Sequence, residues 1–595
     1  VSARRVLRAG PHATQAVAVL TRLLRRFLRP YARQVALVVV LLVGQTAGNL
    51  YLPTLNADII NRGVITGDLG YILRIGGIML AITLAVVVLA ITGVYWSSRV
   101  AMGTGADLRA AVFRRVQAFS QRDLDRFGTP SLITRNTNDV QQVQLFLQMA
   151  LTLIVVAPIM AVGGVILAVH ESAALSPLLA VAVPVMAAFF VAIFVRVVPR
   201  FRTVQSKLDR INLVLREQIT GVRVIRAFRR SGYEAQRFGV ANDDLTATTL
   251  SVNRIFALAL PTLMLILNLT SVAAMYFGGR LVAEGRMPIG NLIAFLTYIA
   301  QILIAVMMAA MVAILLPRAV ASAERIEQVL DTEPSITDPP NPVIPSSRSG
   351  EVVFDGVSFA YPGSEQPVLC DLSFTLRPGE TSAVIGGTGS GKSTLIQLIC
   401  RFFDPTAGRV LVNGVDVRQQ QREALWSGIG LVPQAGFLFR GTVASNLRLG
   451  RADATDAELW HALQVAQAAD FVSAMPGGLD GEIDQGGTNV SGGQRQRLSI
   501  ARAIVRQPGL YLFDDAFSAL DAGTDARLRA RLAQETQGAT VLIVAQRVST
   551  IMHADRILVL DGGTLAGIGT HAELMRTTPA YREIVISQLG EESAA

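Results

Sequence analysis

Two cysteines, two lysines and five histidines are spread over 595 residues. Cys370 and Cys400 have no redox or zinc-ligand spacing, which excludes a disulfide framework and a thiolate metal site. They fit a reduced, cytosolic setting for the half that holds them. No Asp, Glu or Lys sits in the middle of any long apolar run, so an intramembrane proton or ion relay is poorly supported. Lys207 and Lys392 are the only lysines among 54 basic residues. In a chain that otherwise uses Arg, Lys392 marks a place where a compact ammonium is needed and a flat guanidinium would not fit. The N-terminus is basic but has no apolar stretch ahead of a small-residue cleavage site, so no signal peptide is expected.

What is present is apolar. Hydrophobic residues make up 51% and charged residues 16%, with a mean hydropathy of +0.44, too apolar for a soluble enzyme. Six runs, residues 35–55, 73–96, 146–169, 175–198, 255–278 and 289–316, are each long enough to cross about 30 Å of hydrocarbon. Buried helices of a soluble core are the alternative, but six such runs in the first half argue against it. Residues 19–31 interleave Leu and Phe with Arg at helical spacing and read as an amphipathic helix at the membrane surface. The net charge of +10 suggests anionic partners. Arg clusters flanking the spans explain it better than nucleic acid, which is not expected as a partner.

The loops orient the spans. The stretch 58–68 holds one Arg, 170–176 none and 280–288 two, whereas 4–33, 99–135 and 196–254 are Arg-rich. The positive-inside rule therefore predicts a multi-pass protein of the plasma (inner) membrane with both termini cytoplasmic. The long internal loops have helical patterns, so the helices should project below the membrane. Polar residues within the spans are sparse: Gln45, Asn49, Gln148, Asn268 and Gln301. Met307, Met308 and Met311 read first as helix or lipid packing and second as the lining of a promiscuous pocket. Pro158, Pro177, Pro184 and Pro261 either kink helices or start them.

A Pro- and Ser-rich stretch ends this half. The expected division is an N-terminal elbow helix in 1–33, an all-α six-helix transmembrane domain in 34–330, a linker in 331–350 and an α/β P-loop ATPase domain in 351–595. In the last of these, GGTGSGKST at 386–394 lies between an apolar strand and a helix. That is the phosphate-binding loop pattern. Gly386, Gly387, Gly389 and Gly391 let backbone N–H groups converge on an anion, with Thr388, Ser390 and Thr394 in the same loop. Lys392 supplies charge to phosphates and Ser393 a hydroxyl to Mg²⁺. Further along come Tyr361 after an alternating strand, Gln434 after GLVP, and SGGQ (Ser491, Gly492, Gly493, Gln494) opening a helix. Asp514 ends an apolar strand and is followed by SALD at 518–521. A last apolar strand runs to Gln546.

In this order the motifs resemble the nucleotide-binding domain of ATP-binding cassette (ABC) proteins. Six spans fused ahead of them resemble the exporter type, as in bacterial multidrug and lipid exporters. The resemblance implies two such domains meeting head to tail, each ATP held between one P-loop and the other chain's SGGQ turn. It implies that Tyr361 stacks on adenine, that Ser393 and Gln434 ligate Mg²⁺, and that Asp514 holds the metal's water shell. Ser491, Gly492, Gly493 and Gln494 would serve the partner's ATP, and Asp521 would communicate between the sites. Coupling helices are expected near 121–128 and 221–228, the second touching the partner's domain.

Three positions depart from the pattern. Where such ATPases carry a Glu as general base, this chain has Asp515. Where they carry a His facing the γ-phosphate, it has Gln546. Gln485 replaces a common Glu in the stretch EIDQGG, which puts part of the coupling contact in doubt. A carboxylate one methylene short, next to an amide that cannot carry charge, predicts a site that binds ATP and hydrolyses it slowly. With SGGQ intact, the expectation is a heterodimer with a homologous half that supplies Glu and His, a homodimer with two slow sites being the alternative. The function implied is an exporter of hydrophobic or amphipathic substrates such as drugs or lipids. An importer on the same fold and an ATP-gated or regulatory membrane protein are the alternatives. A DNA-repair ATPase of the same superfamily would not explain six spans.

Overall fold

The computed structural model describes residues 11–345 and 349–590. They form two compact units, one holding residues up to 117 with 129–332, the other 118–128 with 333 onward.

The first unit is helical, with six helices long and apolar enough to cross a membrane. An amphipathic helix, α1 (Pro11–Leu28), precedes α2 (Ala32–Asp58). Then come α3 (Leu69–Ala118) and, after a short second-unit helix α4 (Gln121–Phe127), α5 (Val140–Glu171). The helices α6 (Ser176–Thr220), α7 (Val222–Ala227), α8 (Ser231–Ala283) and α9 (Ile289–Asp331) complete the unit. At about 1.5 Å per residue the 50 residues of α3 reach about 75 Å, more than twice the hydrocarbon thickness of about 30 Å, so about half or more of the helix lies outside the hydrocarbon. Many of its apolar side chains in the span point outward, as lipid contact requires: Leu73 is 68% exposed and Ile91 66%. Pro177 sits in the first turn of α6, whereas Pro158, Pro184 and Pro261 lie inside helices.

Polar contacts fix the helices where apolar packing alone would let them slide. Asn61 donates to Asn291 at 2.7 Å, in a π-helical turn Ile59–Val64 that follows α2. The buried Tyr298 hydroxyl lies 2.8 Å from both the Thr54 hydroxyl and the Leu50 carbonyl, and Thr54 donates to Glu171 at 2.9 Å. At the other end of α5, Asp139 is fully buried and accepts two guanidinium bonds from Arg325 and one from Ser322, both on α9.

The second unit has two large sheets and a two-stranded ribbon that pairs Gly441–Thr442 with Glu482–Ile483. Strands β1 (Val352–Phe359), β2 (Leu369–Leu376) and β4 (Ala407–Val412) pair antiparallel with a two-residue strand Val415–Asp416 at the edge. The larger sheet contains β3 (Thr381–Gly386), β5 (Ile429–Val432), β6 (Leu510–Asp514), β7 (Thr540–Val544), β8 (Arg556–Asp561) and β9 (Thr564–Gly569), in the order β9-β8-β3-β7-β6-β5. All neighbours are parallel except β8 and β9. Strands such as β7 (TVLIV) are buried throughout, so they read as unbroken apolar runs rather than alternating ones.

The short helix α4 belongs to this unit. Ser120 caps it in a reciprocal box with Asp123, and one Asp123 carboxylate oxygen also accepts from the Ser335 N–H at 2.9 Å and hydroxyl at 3.2 Å. Burial pushes this carboxyl up, but the bonds from Ser335 and Ser120 outweigh it and hold it below the ordinary Asp value. A depressed folded pKa adds stability above the unfolded value of about 4 and loses it as pH falls through the folded one. The stability difference between the wild type and Asp123→Asn should therefore be constant above about pH 5 and lose its charge-dependent part in acid. Thermal melts of the detergent-solubilised chain across pH check this, and a pH-independent difference would refute it.

Candidate nucleotide site

Four neighbouring parallel strands, β3, β7, β6 and β5, end on the same edge of the sheet. Their pairing register puts Val384 beside Val544, Val544 beside Asp514 and Val432 beside Phe513. Whatever follows each strand is delivered to one edge. After β3 comes the Gly-rich loop, after β7 Gln546, at the end of β6 Asp514 and Asp515, and after β5 Gln434. Ligands of open α/β sheets bind outside such carboxyl ends.

The loop turns through Gly389 and Gly391 at positive φ. A Cβ on Gly391 would also stand 2.4 Å from the Leu369 side chain, so no other residue fits there. The helix α10 (Lys392–Ile399) starts at once, and its first-turn N–H groups face the loop. The Lys392 ammonium folds back on the Gly386 and Gly387 carbonyls, at 2.9 and 2.7 Å. Burial lowers its pKa against the opposing pull of Asp515 and Asp514. Ser393 donates to Asp514 at 2.8 Å. Burial raises the Asp514 pKa, the Ser393 bond opposes the rise, and Asp515 adds to it. Both charges are thus poorly solvated as they stand. A polyphosphate would favour the charged form of Lys392, and a hard divalent cation that of Asp514. The hydroxyl and carboxylate side by side fit Mg²⁺, whose part would be to neutralise charge on the phosphates.

Asp515 is 8% exposed, and its N–H bonds the Val544 carbonyl at 2.8 Å. Its φ of 48 lies in the left-handed region, which Asp tolerates better than most side chains. Gln546 and Gln434 are exposed at the site's edge. The Tyr361 hydroxyl bonds Thr394 at 3.1 Å and Gln397 at 2.8 Å, and its ring stands edge-on to Phe359 and Phe403. Residues 491–494 do not join this cluster by any hydrogen bond among the described residues. Ser491 instead caps α11 (Gly492–Arg506) in a reciprocal box with Gln494. Asp521 caps α12 (Ala522–Glu535) by accepting from Thr524 at 2.9 Å.

Two residues here escape motif reading. Gln496 spans the Gln434 loop with both ends of its amide, and Gln588 does the same for the Gln546 loop. Gln588 donates to the Gln546 carbonyl at 2.7 Å and accepts from the Val548 N–H at 2.8 Å. For Gln496 there was a faint signal, a neutral polar residue on the apolar face of an amphipathic helix. For Gln588, exposed in the last helix α13 (Pro579–Leu589), there was none.

A Gly-rich loop between a central parallel strand and a helix, with a strand-end carboxylate against its Ser, defines a P-loop nucleotide-binding domain. Residues 35–307 match the ABC transporter transmembrane region and residues 369–518 the ABC transporter family, so this chain belongs to the ABC transporters and carries both parts fused. It is 50% identical over 573 residues to the ABC transporter ATP-binding protein Rv1273c of Mycobacterium tuberculosis (strain ATCC 25618 / H37Rv), covering 96% of this chain and 98% of that one. It is 34% identical over 478 residues to a fatty acid ABC transporter ATP-binding/permease protein of Mycobacterium bovis, covering 80% and 75%. It is 32% identical over 557 residues to the probable multidrug resistance protein YheI of Bacillus subtilis, covering 92% and 93%. A bacterial Atm1-family ABC exporter with ATP bound superposes with a TM-score of 0.78 at 26% identity, over 95% of this chain and 99% of that one. The chain is a multi-pass membrane protein with the fold of an ABC exporter half-transporter and an ATP-hydrolysing domain.

Proposed function

We propose that this chain is one half of an ATP-driven exporter, that it pairs with a homologous but different chain, and that its own P-loop site is the slow one. The observation that carries this is local. The loop at 386–394 is complete and Ser393 meets Asp514, yet the two strand ends beside it present Asp515 and Gln546. The site can hold Mg·ATP. It lacks a carboxylate of full reach for the attacking water and a cationic partner for the γ-phosphate. Residues 491–494 are intact and would complete the partner's site.

In this reading Lys392 and the loop N–H groups hold the phosphates, Ser393 and Gln434 the metal, and Tyr361 the adenine. ATP binding closes the two nucleotide domains, the helices at 121–127 and 222–227 pass the motion to the spans, and hydrolysis at the competent site resets the pair. Both termini lie in the cytoplasm. Sparse polarity in the spans suits hydrophobic or amphipathic cargo, and relatives named for fatty acid and for multidrug resistance are consistent with it.

The purified chain alone should turn over ATP at well below one per second, and Asp515→Asn should change that little. Turnover of several per second, abolished by Asp515→Asn, would overturn the proposal.

A further inference from the structure

Gln496 lies two residues past the SGGQ turn on α11 and is 3% exposed. Its amide nitrogen donates to the Pro433 carbonyl at 3.1 Å, and its amide oxygen accepts from the Gly436 N–H at 3.1 Å. These two backbone groups bracket Gln434 and Ala435. The loop is gripped on both sides of Gln434 while the Gln434 side chain itself stays exposed. The fit is close. A Cβ on Gly436 would sit 2.9 Å from the Gln496 amide oxygen and 2.8 Å from the Ser499 hydroxyl, so only glycine lets the loop approach the helix this nearly. A second tether follows nearly two turns on, where Arg502 donates to the Phe437 carbonyl at 2.7 Å.

We propose that Gln496 is a positioning residue that makes the Gln434 loop follow the helix α11, and so links this chain's own metal site to the turn at 491–494. The inference rests on the reading of Gln434 as a Mg²⁺ ligand. A buried amide with both ends spent on one loop cannot move without carrying the loop, because either bond broken in that dry setting leaves an unpaired polar group. α11 is a single 15-residue helix whose first residues would face the opposing chain's nucleotide. A tilt of that helix on dimer closure would displace Pro433 and Gly436 together, and Gln434 with them. The connection runs within one chain from the partner's ATP to this chain's Mg²⁺.

The test is a Mg²⁺ titration of trinitrophenyl-ATP binding to the full-length chain in lipid nanodiscs, with Gln496→Ala, Gln434→Ala and the double variant. Gln496→Ala should raise the Mg²⁺ concentration for half-saturation about fivefold to tenfold, the worth of two hydrogen bonds, with binding in excess EDTA unchanged. In the Gln434→Ala background the same change should have no further effect, because Gln496 acts through Gln434. Gln496→Glu, which keeps the acceptor for Gly436 and loses the donor to Pro433, should fall between. If Gln496→Ala leaves the Mg²⁺ dependence unchanged while Gln434→Ala shifts it, the positioning role is wrong and the Gln434 reading stands. If Gln434→Ala shifts nothing, the ligand reading fails and the inference with it. If Gln496→Ala weakens binding equally with and without Mg²⁺, the residue only holds the fold.

Discussion

The pair of substitutions Asp515→Glu and Gln546→His should raise the ATPase turnover of the purified chain by about 10²-fold. The rest of what this chain itself contributes to the site is already assembled. The loop glycines, Lys392 and the Ser393–Asp514 contact are in place, so the barrier lies in the two groups that would touch the attacking water and the γ-phosphate. One extra methylene on the side chain at 515 moves its carboxylate outward by about 1 Å, and a misplacement on that scale can cost about 10²-fold in rate. The imidazole at 546 adds what an amide cannot, a group that can carry positive charge near pH 7. Neither change should repair the site alone, since base and γ-phosphate contact act on the same transition state. The singles should gain less than their share of the double. The backbone cost is small. At the φ of 48 of Asp515, a Glu costs about 1 kcal/mol more than Asp, against about 2.7 kcal/mol for the rate gain. Lys392→Ala in the doubly substituted chain should abolish the activity, which ties it to this site. A double variant within threefold of the parent would mean that something other than Asp515 and Gln546 limits the site, and the degenerate-site proposal would lose its basis.

The parts of this site that the sequence made legible are those that must be specific atoms at specific offsets along one strand–loop–helix connection. Residues 386–394 could be read because a tight turn, an anion and a helix start constrain neighbouring positions together. The strand-end residues Gln434, Asp514, Asp515 and Gln546 could be named but not assembled, because their proximity depends on the strand order β3-β7-β6-β5, which no local pattern contains. Of the two clamps, Gln496 left only a faint mark, a neutral polar residue on the apolar face of its helix, and Gln588 left none. A glutamine bonding a loop 60 or 42 residues away in the chain looks like any other glutamine until the backbone groups it meets are known. The membrane unit follows the same rule. Six spans were visible as apolar runs, and the helical pattern of the long internal loops already pointed to helices running past them, but hydropathy marks no end to those polar turns. The Asp139–Arg325 pair was equally hidden, its partners standing 186 residues apart.

That pair should show an asymmetry that separates burial from attraction. Arg325→Ala is expected to destabilise the chain by about 3 kcal/mol, and Asp139→Ala by about 1 kcal/mol. The Asp139 side chain is wholly buried, while that of Arg325 is 45% exposed. Removing the guanidinium leaves a buried carboxylate with the Ser322 hydroxyl at 3.0 Å and the charge of nearby Arg135 to support it. A buried charge that has lost its direct ion partner is the costly outcome of breaking such a pair. Removing the carboxylate instead leaves an arginine that is already half in solvent and can turn outward. The arginine's neighbour Arg135 stays tied to α9 either way, donating to the Arg325 carbonyl at 2.7 Å and to Gln328 at 3.1 Å, so the π-helical turn Arg135–Asp139 that leads into α5 keeps a second contact with α9 in both variants. The double variant Asp139→Leu, Arg325→Met should recover most of the loss, since an apolar pair of similar volume has no charge to desolvate. Unfolding midpoints of the four proteins in one detergent decide the matter. Equal losses in the two single variants would show that the contact between helices matters there, and that the buried carboxylate carries no special cost.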